Sequence, residues 1–115
     1  MKKLNYISHR PWGSFYDLAE EKGKWHLKII KIKKGQRLSL QRHKLRKEYL
    51  IAVEGKIRVQ KGFKKLLLKV GDSISIKRNG IHRLEAITDA FIVEVSFGIY
   101  KEKDIIRLSD DYGRA

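Results

Sequence analysis

The feature that most restricts the fold of this chain is a series of short apolar segments, rich in β-branched residues, separated by turn residues. Nine glycines and one proline divide the 115 residues. Within residues 56–60, Ile57 and Val59 alternate with charged and polar residues, as expected for a strand with one buried face. No long segment repeats its apolar residues every ~3.6 positions, as an amphipathic helix would. The pattern predicts an all-β sandwich or barrel.

The apolar segments predict eight strands. They cover Trp25–Lys33, Arg37–Gln41, Glu48–Val53, Lys56–Gln60, Lys65–Val70, Ser73–Lys77, His82–Ala86 and Phe91–Phe97. Glycines between consecutive segments predict hairpin turns at Gly55 and Gly62. The only helices that the sequence predicts are short, at Asp17–Glu21 and Lys101–Asp104.

The length of the chain suits one domain with a modest core. We expect residues 1–24 to form an N-terminal arm packing on a barrel of residues 25–97, with a C-terminal segment at 98–115. The absence of cysteine excludes disulfides, thiolate metal sites and cysteine nucleophiles. No apolar run reaches the ~20 residues of a membrane helix, and the first residues lack the apolar core of a signal peptide. We therefore expect a cytoplasmic protein without a membrane partner.

The strongly basic charge indicates an anionic partner. Lysine and arginine number 27 against 13 acidic residues, which gives a net charge of +14. Dispersed surface lysines also serve solubility, and the basic residues are spread along the chain. No nucleic-acid-binding motif accompanies them, so we do not expect a nucleic-acid partner.

Four polar side chains lie at strand positions that suit a metal site. Gln41 and His43 are two residues apart and share a face of an extended chain, and Glu48 follows five residues later. If the two strands are adjacent, Glu48 comes close to that pair. His82 begins a later strand and can converge on the same point. Two imidazoles, a carboxylate and an amide oxygen suit Zn, Mn, Fe, Co or Ni without choosing among them.

Single strand histidines are more often surface or core residues than metal ligands. We therefore expect His9 and His26 to have no part in a metal site.

The spacing of these residues resembles the two sequence motifs of the cupin superfamily. The first cupin motif, G(X)5HXH(X)3-4E(X)6G, is similar to the arrangement of Gly35, Gln41, His43, Glu48 and Gly55, with glutamine in the first histidine position. The second, G(X)5PXG(X)2H, is similar to Gly71 through His82, where Lys77 and Asn79 replace proline and glycine. Asparagine tolerates a left-handed turn better than most residues, so Asn79 is a mild departure.

Longer segments resemble the C-terminal cupin domain of type II mannose-6-phosphate isomerases. They are RPWGSF at 10–15, KIIKIKKGQRLSLQRHKLRKE at 28–48, HRLEA at 82–86 and IVEVSFGIYKEKDIIRLSDDYGR at 92–114. The resemblance implies a single cupin domain, a double-stranded β-helix or jelly-roll barrel. It also implies interconversion of mannose 6-phosphate and fructose 6-phosphate. In that family the cupin often follows a guanylyltransferase domain, but this sequence has no Gly-rich nucleotide loop, so we expect no guanylyltransferase activity.

The resemblance also implies roles for individual residues. The metal ligands would be Gln41, His43, Glu48 and His82, holding one divalent ion, with Zn expected first and Mn, Co, Ni or Fe as alternatives. Arg46, Arg114 and Lys28 would be catalytic residues or contact a phosphorylated sugar. Arg37 would line the same cavity, and Arg10, Trp12 and Gly13 would anchor the N-terminal segment. The general base is left open.

Two other interpretations remain at this point. Cupins catalyse several reactions, and a glucose 6-phosphate isomerase would use a similar set of residues. Alternatively, the protein binds a sugar phosphate or sugar nucleotide without turnover. We also expect a homodimer, formed by strand addition or sheet packing.

Overall fold

The computed structural model describes residues 1–115 and contains eleven β-strands and no α-helix. The strands are β1 (Lys2–Arg10), β2 (Gly13–Glu21), β3 (Trp25–Ile32), β4 (Leu40–Arg42), β5 (Arg46–Glu54), β6 (Ile57–Lys61), β7 (Lys64–Leu68), β8 (Ser73–Ile76), β9 (His82–Ala86), β10 (Ala90–Gly98) and β11 (Ile106–Ser109). The all-β prediction is confirmed. The structure contains no helix that could serve as a membrane span.

The strands form two antiparallel sheets. One has six strands in the order β1-β2-β3-β10-β5-β8, and the other has five in the order β11-β4-β9-β6-β7. Along β10, Ile92 is 1% exposed while its neighbours Phe91 and Val93 are half-buried, so one face of the strand points inward. Ile57 and Val59 of β6 are fully buried, as their alternation with polar residues predicts. The apolar core therefore contains inward-facing residues of both sheets.

Both short helices predicted from the sequence are wrong. Asp17–Glu21 lies within β2, which pairs with β1 on one side and β3 on the other. Sheet pairing on both edges outweighs the weak helical preference of this acidic segment. Lys101–Asp104 is a single turn, closed by the Asp104 N–H donating to the Lys101 carbonyl. Asp104 also accepts hydrogen bonds from the backbone N–H groups of Lys44 and Leu45, so this turn is tied to the loop before β5.

Of the two predicted hairpins, the one at Gly62 is confirmed and the one at Gly55 is wrong. Lys61 pairs with Lys64 across the Gly62 turn. At Gly55 the chain passes from the six-stranded sheet to the five-stranded sheet, so β5 and β6 do not pair. Gly55 has φ of 80°, and a Cβ there would lie 2.2 Å from the Asp89 carbonyl oxygen. Glycine is therefore needed because of backbone shape and close approach, not because of a hairpin.

Three strands lie outside the segments predicted from the sequence. β1 and β2 extend the six-stranded sheet at one edge, and β11 forms an edge of the five-stranded sheet. Trp12, between β1 and β2, is 4% exposed and belongs to the core. The division into arm, barrel and C-terminal segment stays a proposal.

Candidate metal centre and cavity

His43, Glu48 and His82 come together between the two sheets. His82 is the first residue of β9, and His43 follows β4, both in the five-stranded sheet. Glu48 lies on β5 in the opposite sheet. The expectation that Glu48 approaches through a strand adjacent to Gln41 and His43 is therefore wrong. The carboxylate reaches the two histidines across the interior, because inward-facing positions of both sheets share one core.

The three side chains are close enough to share one ion. The His82 Nε2 lies 3.2 Å from the Glu48 Oε1, and the His43 Nε2 lies 3.6 Å from the Glu48 Oε2. One ligand atom from each residue lies within 4.8 Å of the other two. All three side chains are at most 3% exposed. A buried cluster of two imidazoles and a carboxylate is the donor set of a divalent transition-metal site.

Backbone hydrogen bonds hold both imidazoles in the orientation that a metal requires. The His43 Nδ1–H donates to the Asp104 carbonyl at 2.6 Å, and the His82 Nδ1–H donates to the Gly80 carbonyl at 2.8 Å. With this bond, a ring in its neutral form carries its proton on Nδ1, which leaves Nε2 free to bind a metal ion in the cluster. Metal-ligating histidines commonly have such a partner on the second nitrogen.

The turn before His82 connects the two histidine segments. Asn79 has φ of 61°, the left-handed conformation that asparagine tolerates, and its N–H donates to the His43 carbonyl at 2.7 Å. Asn79 thus replaces the motif glycine without losing the turn. The bond fixes the His43 backbone relative to the loop that delivers His82.

The carboxylate of Glu48 provides the test of whether a cation fits. Its Oε1 is buried and has no hydrogen-bond partner, although the His82 Nε2 is only 3.2 Å away. A buried carboxylate oxygen without a hydrogen bond is costly unless a cation lies next to it. The residues present therefore fit a divalent metal ion.

Gln41 lies beside this cluster. Its Nε2 is 3.3 Å from the His43 Nε2, and its Oε1 accepts a hydrogen bond from the Ser39 hydroxyl at 2.6 Å. Gln41 pairs with His82 across β4 and β9, which places both side chains on one face of the sheet. The amide is close enough to join the metal site, but Ser39 holds its oxygen in this structure.

Burial and neighbouring charges shift the pKa values of the ionisable groups around the cluster in different directions. Burial lowers the pKa of His43 to about 4, so this ring is neutral at physiological pH. Burial and the charge of Glu48 together raise the pKa of Glu94, on β10, to about 8. Although burial alone would raise the pKa of Glu48, its contacts with His82 and the hydrogen bond from Glu94 hold it well below its usual value. At pH 7 Glu48 is ionised and Glu94 holds a proton.

Because of its raised pKa, Glu94 should reduce the stability of the metal-free protein as the pH rises. The folded state keeps this proton up to about pH 8, whereas the unfolded chain releases it near its ordinary pKa. The unfolded state therefore gains stability relative to the folded state between about pH 4.5 and 8. We expect Glu94→Gln, which removes this titration, to gain stability over the wild type by a few kcal/mol more at pH 8 than at pH 5.

Chemical denaturation of chelator-treated protein at several pH values measures this difference. Glu54→Gln, at an exposed carboxylate near the end of β5, is the matched control and should show no such trend. A difference between Glu94→Gln and the wild type that stays constant from pH 5 to pH 8 would contradict the prediction.

A cavity of about 550 Å³, measured with its open mouth, lies next to the cluster. It is lined by Arg10, Trp12, Phe15, Lys28, Ile30, Leu38, Gln41, His43, Arg46, Glu94, Glu102, Ile105, Arg107 and Arg114. Of the residues predicted from the sequence, the cavity contains Gln41, His43, Arg46, Lys28 and Arg114. Arg37 lies outside it and forms a two-bond ion pair with Asp111.

Arg46 lines the cavity and also contacts the cluster of His43, Glu48 and His82. It is 6% exposed, its Nε donates to the Glu48 Oε2 at 3.1 Å, and its Nη2 lies 3.4 Å from the His43 Nε2. The guanidinium also lies 4.6 Å from the ring centroid of Tyr100. A permanent positive charge is thus fixed beside the Glu48 carboxylate.

Lys28 is buried among aromatic and acidic groups at the same cavity. Its Nζ lies 4.1 Å from the Phe15 ring centroid, 3.8 Å from the Glu94 Oε2 and 3.6 Å from the Glu102 Oε1. It also donates a hydrogen bond to the Tyr100 hydroxyl. The ammonium group is therefore held at a defined point of the cavity wall.

Arg114 is held by a neighbouring carboxylate. Its Nε and Nη2 donate to the two oxygens of Asp110 at 2.9 and 2.7 Å. This two-bond contact is the reason that the pKa of Asp110 falls to about 2. Much of the charge of Arg114 is therefore matched within the protein.

His26 occupies a satisfied buried position, whereas His9 is exposed on β1. The two ring nitrogens of His26 contact Asp17 at 2.6 Å and Glu20 at 3.0 Å. The ring is stacked on Tyr100, with centroids 3.7 Å apart. Neither histidine belongs to the cluster of His43, Glu48 and His82.

Sequence reasoning missed Glu94 and Arg107 and assigned Arg10 only to packing. Glu94 stands two residues after buried Ile92 and two before buried Ser96, so strand parity alone places it on the inner face. Arg107 lies within the segment DIIRLSDDYGR that carries the family resemblance, but no strand was predicted there. Parity along β10 was the signal that could have found Glu94.

A protein-family comparison matches nearly the whole chain. Residues 2–110 match the family described as mannose-6-phosphate isomerase C-terminal. The chain belongs to this family. The alginate biosynthesis protein AlgA of Pseudomonas aeruginosa is 42% identical over 109 residues, which cover 92% of this chain and 22% of AlgA. Mannose-1-phosphate guanylyltransferase 2 of Escherichia coli O157:H7 is 36% identical over 118 residues, covering 96% of this chain and 24% of that protein.

Solved structures agree on the fold of this mannose-6-phosphate isomerase C-terminal domain. KdgF from Halomonas superposes with a TM-score of 0.79 at 14% identity, over 86% of this chain and 96% of KdgF. An RmlC-like cupin from Shewanella frigidimarina gives 0.75 at 18% identity, over 86% and 87% of the two chains. The prediction of a single cupin jelly-roll domain is confirmed. The chain spans about a quarter or less of the curated relatives cited above, so their full activities are not transferred to it.

Proposed function

We propose that the protein is a metal-dependent aldose–ketose isomerase that interconverts mannose 6-phosphate and fructose 6-phosphate. The observation that carries this proposal is the buried His43–Glu48–His82 cluster beside a cationic cavity in a chain of this family. We propose one divalent ion held by His43, Glu48 and His82 with Gln41 as the fourth ligand. Zinc is our first choice, and Mn, Co, Ni and Fe are the alternatives.

The reaction moves a proton between C2 and C1 of the sugar through an enediolate. When bound, the metal ion would supply positive charge that favours the developing negative oxygen. Arg46 adds a second fixed positive charge beside the cluster, and we assign it to the enediolate oxygens. Preorganised charge of this kind acts strongly in a buried site that excludes water.

Proton exchange needs a group at the cavity wall, and the geometry favours the pair of Lys28 and Glu94. Their Nζ and Oε2 are 3.8 Å apart, and both residues line the cavity. Lys28 is positioned by Tyr100 and Glu102, which hold its ammonium group at the wall. We assign the proton transfer to Glu94 in its ionised form, with the Lys28 ammonium group beside it: the carboxylate takes the proton from C2, and the carboxylic acid so formed returns it to C1.

A coupled assay tests the proposal. Chelator-treated protein receives mannose 6-phosphate, then each of Zn, Mn, Co, Ni and Fe in turn, and fructose 6-phosphate is measured. We expect product only with metal. Glucose 6-phosphate as a second substrate distinguishes the other aldose specificity. No turnover with any ion in folded, metal-loaded protein would overturn the isomerase proposal, and sugar-phosphate binding without turnover would support the non-enzymatic alternative.

We also propose that the protein forms a homodimer through the outer face of the six-stranded sheet. Adjacent strands β3, β10 and β5 place an apolar patch there, formed by Trp25, Leu27, Ile29, Val93, Val95, Phe97, Tyr49, Ile51 and Val53. Lys31 and Glu54 flank Phe91 at the edge of this patch and have opposite charges, which suits a two-fold packing of two copies.

Light scattering should give twice the 13.5 kDa chain mass, and Val95→Lys at the centre of the patch should give a monomer. A wild-type monomer at micromolar concentration would overturn the dimer.

We place the protein in the cytoplasm, where a cysteine-free chain and a sugar-phosphate substrate are both expected.

A further inference from the structure

We propose that Arg107, together with Arg10 and Arg114, forms the subsite that holds the phosphate group of the substrate at the outer part of the cavity. This inference rests on the proposed function and assigns to Arg107 a role that the sequence did not indicate. All three arginines line the same cavity as Gln41 and His43.

The position of Arg107 relative to the metal cluster follows from strand register. Arg107 of β11 pairs with Gln41 of β4, and Gln41 pairs with His82 of β9. Residues directly opposite on neighbouring strands have their side chains on the same face. His82, Gln41 and Arg107 therefore form one row across the inner face of the sheet. Since neighbouring strands are ~4.8 Å apart, Arg107 starts about 10 Å from His82 along this row.

This separation suits a ligand with two different ends. An open-chain hexose 6-phosphate carries its carbonyl at one end and its phosphate at the other. With the carbonyl end at the cluster of His43, Glu48 and His82, the phosphate end lies further along the row, toward β11. The row thus has a metal-binding end and a cationic end on one continuous surface.

The charge of Arg107 is unmatched, unlike that of its neighbours. Its Nε is buried and has no hydrogen-bond partner. By contrast, Arg114 makes two hydrogen bonds to Asp110, and the Arg10 Nη2 lies 3.6 Å from the Glu102 Oε2. An unpartnered buried donor of a charged group costs free energy that a bound anion would recover. Arg107 is therefore the arginine of this cavity that is best prepared to bind an added anion.

The surrounding charges point the same way. Burial lowers the pKa of Arg107, and the positive charges of Arg114 and Arg10 lower it further, despite the opposing effects of Asp110 and Glu102. The positive charge of the arginine side chains here thus exceeds the negative charge of the neighbouring carboxylates. A phosphate dianion would relieve this repulsion and accept paired N–H groups from the planar guanidinium.

Calorimetric titration of the zinc-loaded protein tests the subsite. Mannose 6-phosphate and mannose are the two ligands, and the wild type is compared with Arg107→Gln. We expect Arg107→Gln to bind mannose 6-phosphate about 10- to 100-fold more weakly, because a charge-assisted contact is lost. Its affinity for mannose should be unchanged, since mannose has no phosphate. An equal loss for both ligands, or no loss for either, would overturn the proposal.

Two further variants keep the test decisive. Arg42→Gln is the matched control, because Arg42 follows Gln41 on β4 and points to the opposite face, and it should bind mannose 6-phosphate like the wild type. If Arg107→Gln does not fold, Arg10→Gln replaces it, since the Arg10 side chain is 33% exposed at the rim. We expect a smaller loss there, about 3- to 10-fold for mannose 6-phosphate alone. Unchanged binding in Arg10→Gln would then overturn the subsite.

Failure of the phosphate subsite and failure of isomerase activity give different results. If the wild type binds mannose 6-phosphate without turnover and Arg107→Gln weakens that binding selectively, the subsite stands and the isomerase proposal fails. If the wild type turns over the substrate and Arg107→Gln has an unchanged KM and affinity, the isomerase stands and the subsite fails.

Discussion

His82→Ala should lose high-affinity zinc binding while keeping the fold. His82 supplies one of only two imidazoles in the cluster, and its Nε2 lies 3.2 Å from the Glu48 carboxylate. Removing a ligand leaves too few donors to replace the hydration shell of the ion. Since even loss of an outer-shell partner can cost 10- to 100-fold in metal affinity, we expect a loss of at least about 100-fold. Isomerase turnover should fall to the level of the metal-free protein.

Two measurements follow this effect independently of activity. Competition with a chromogenic chelator gives the zinc affinity, and thermal unfolding with and without zinc gives the stabilisation that binding provides. At 1,000 times the Kd, zinc should stabilise the wild type by about 4 kcal/mol, and the variant should gain almost nothing at the same concentration. His9→Ala, at an exposed histidine of β1, should behave like the wild type. Stoichiometric zinc binding by His82→Ala with the wild-type affinity would contradict the assignment.

Arg46→Gln should retain zinc but lose most of its turnover. Arg46 contacts Glu48 and lines the cavity, so its charge lies where the enediolate oxygens are proposed to develop. Loss of a preorganised donor to a developing oxyanion typically costs 10²- to 10³-fold in kcat, and we expect a decrease of about that size. The KM for mannose 6-phosphate should change much less, because the phosphate is assigned to other arginines.

The same substitution should destabilise the metal-free protein more than the zinc-bound protein. Without Arg46, the buried carboxylate of Glu48 lacks its ion-pair partner, and removal of one partner of a buried pair costs about 3–5 kcal/mol. Zinc compensates the carboxylate, so part of this loss should return on metal binding. Arg46→Lys keeps the charge and should recover stability better than turnover. A full wild-type kcat in zinc-saturated Arg46→Gln would refute a role in catalysis.

The strand pattern was predictable because it depends on local chemistry. Alternation such as that of Ile57 and Val59 specifies a strand with one buried face whatever its partners are. β1, β2 and β11 were not predicted, and part of β2 looked helical, because edge pairing depends on which strands lie alongside. The role of Gly55 likewise depends on residues distant in the sequence. Its sequence context suits a hairpin, but the approach of Asp89 from elsewhere in the chain decides its role.

By itself the sequence determined the class of fold, the family resemblance and the side chains that we propose as metal ligands, since residue type and spacing carry that information. Only the tertiary structure showed how these side chains come close to one another. Glu48 reaches His43 and His82 from the opposite sheet, not from a neighbouring strand. It also decided the raised pKa of Glu94 and the missing partner of Arg107. Both depend on burial and on charges distant in the chain, which become neighbours only when the two sheets pack together.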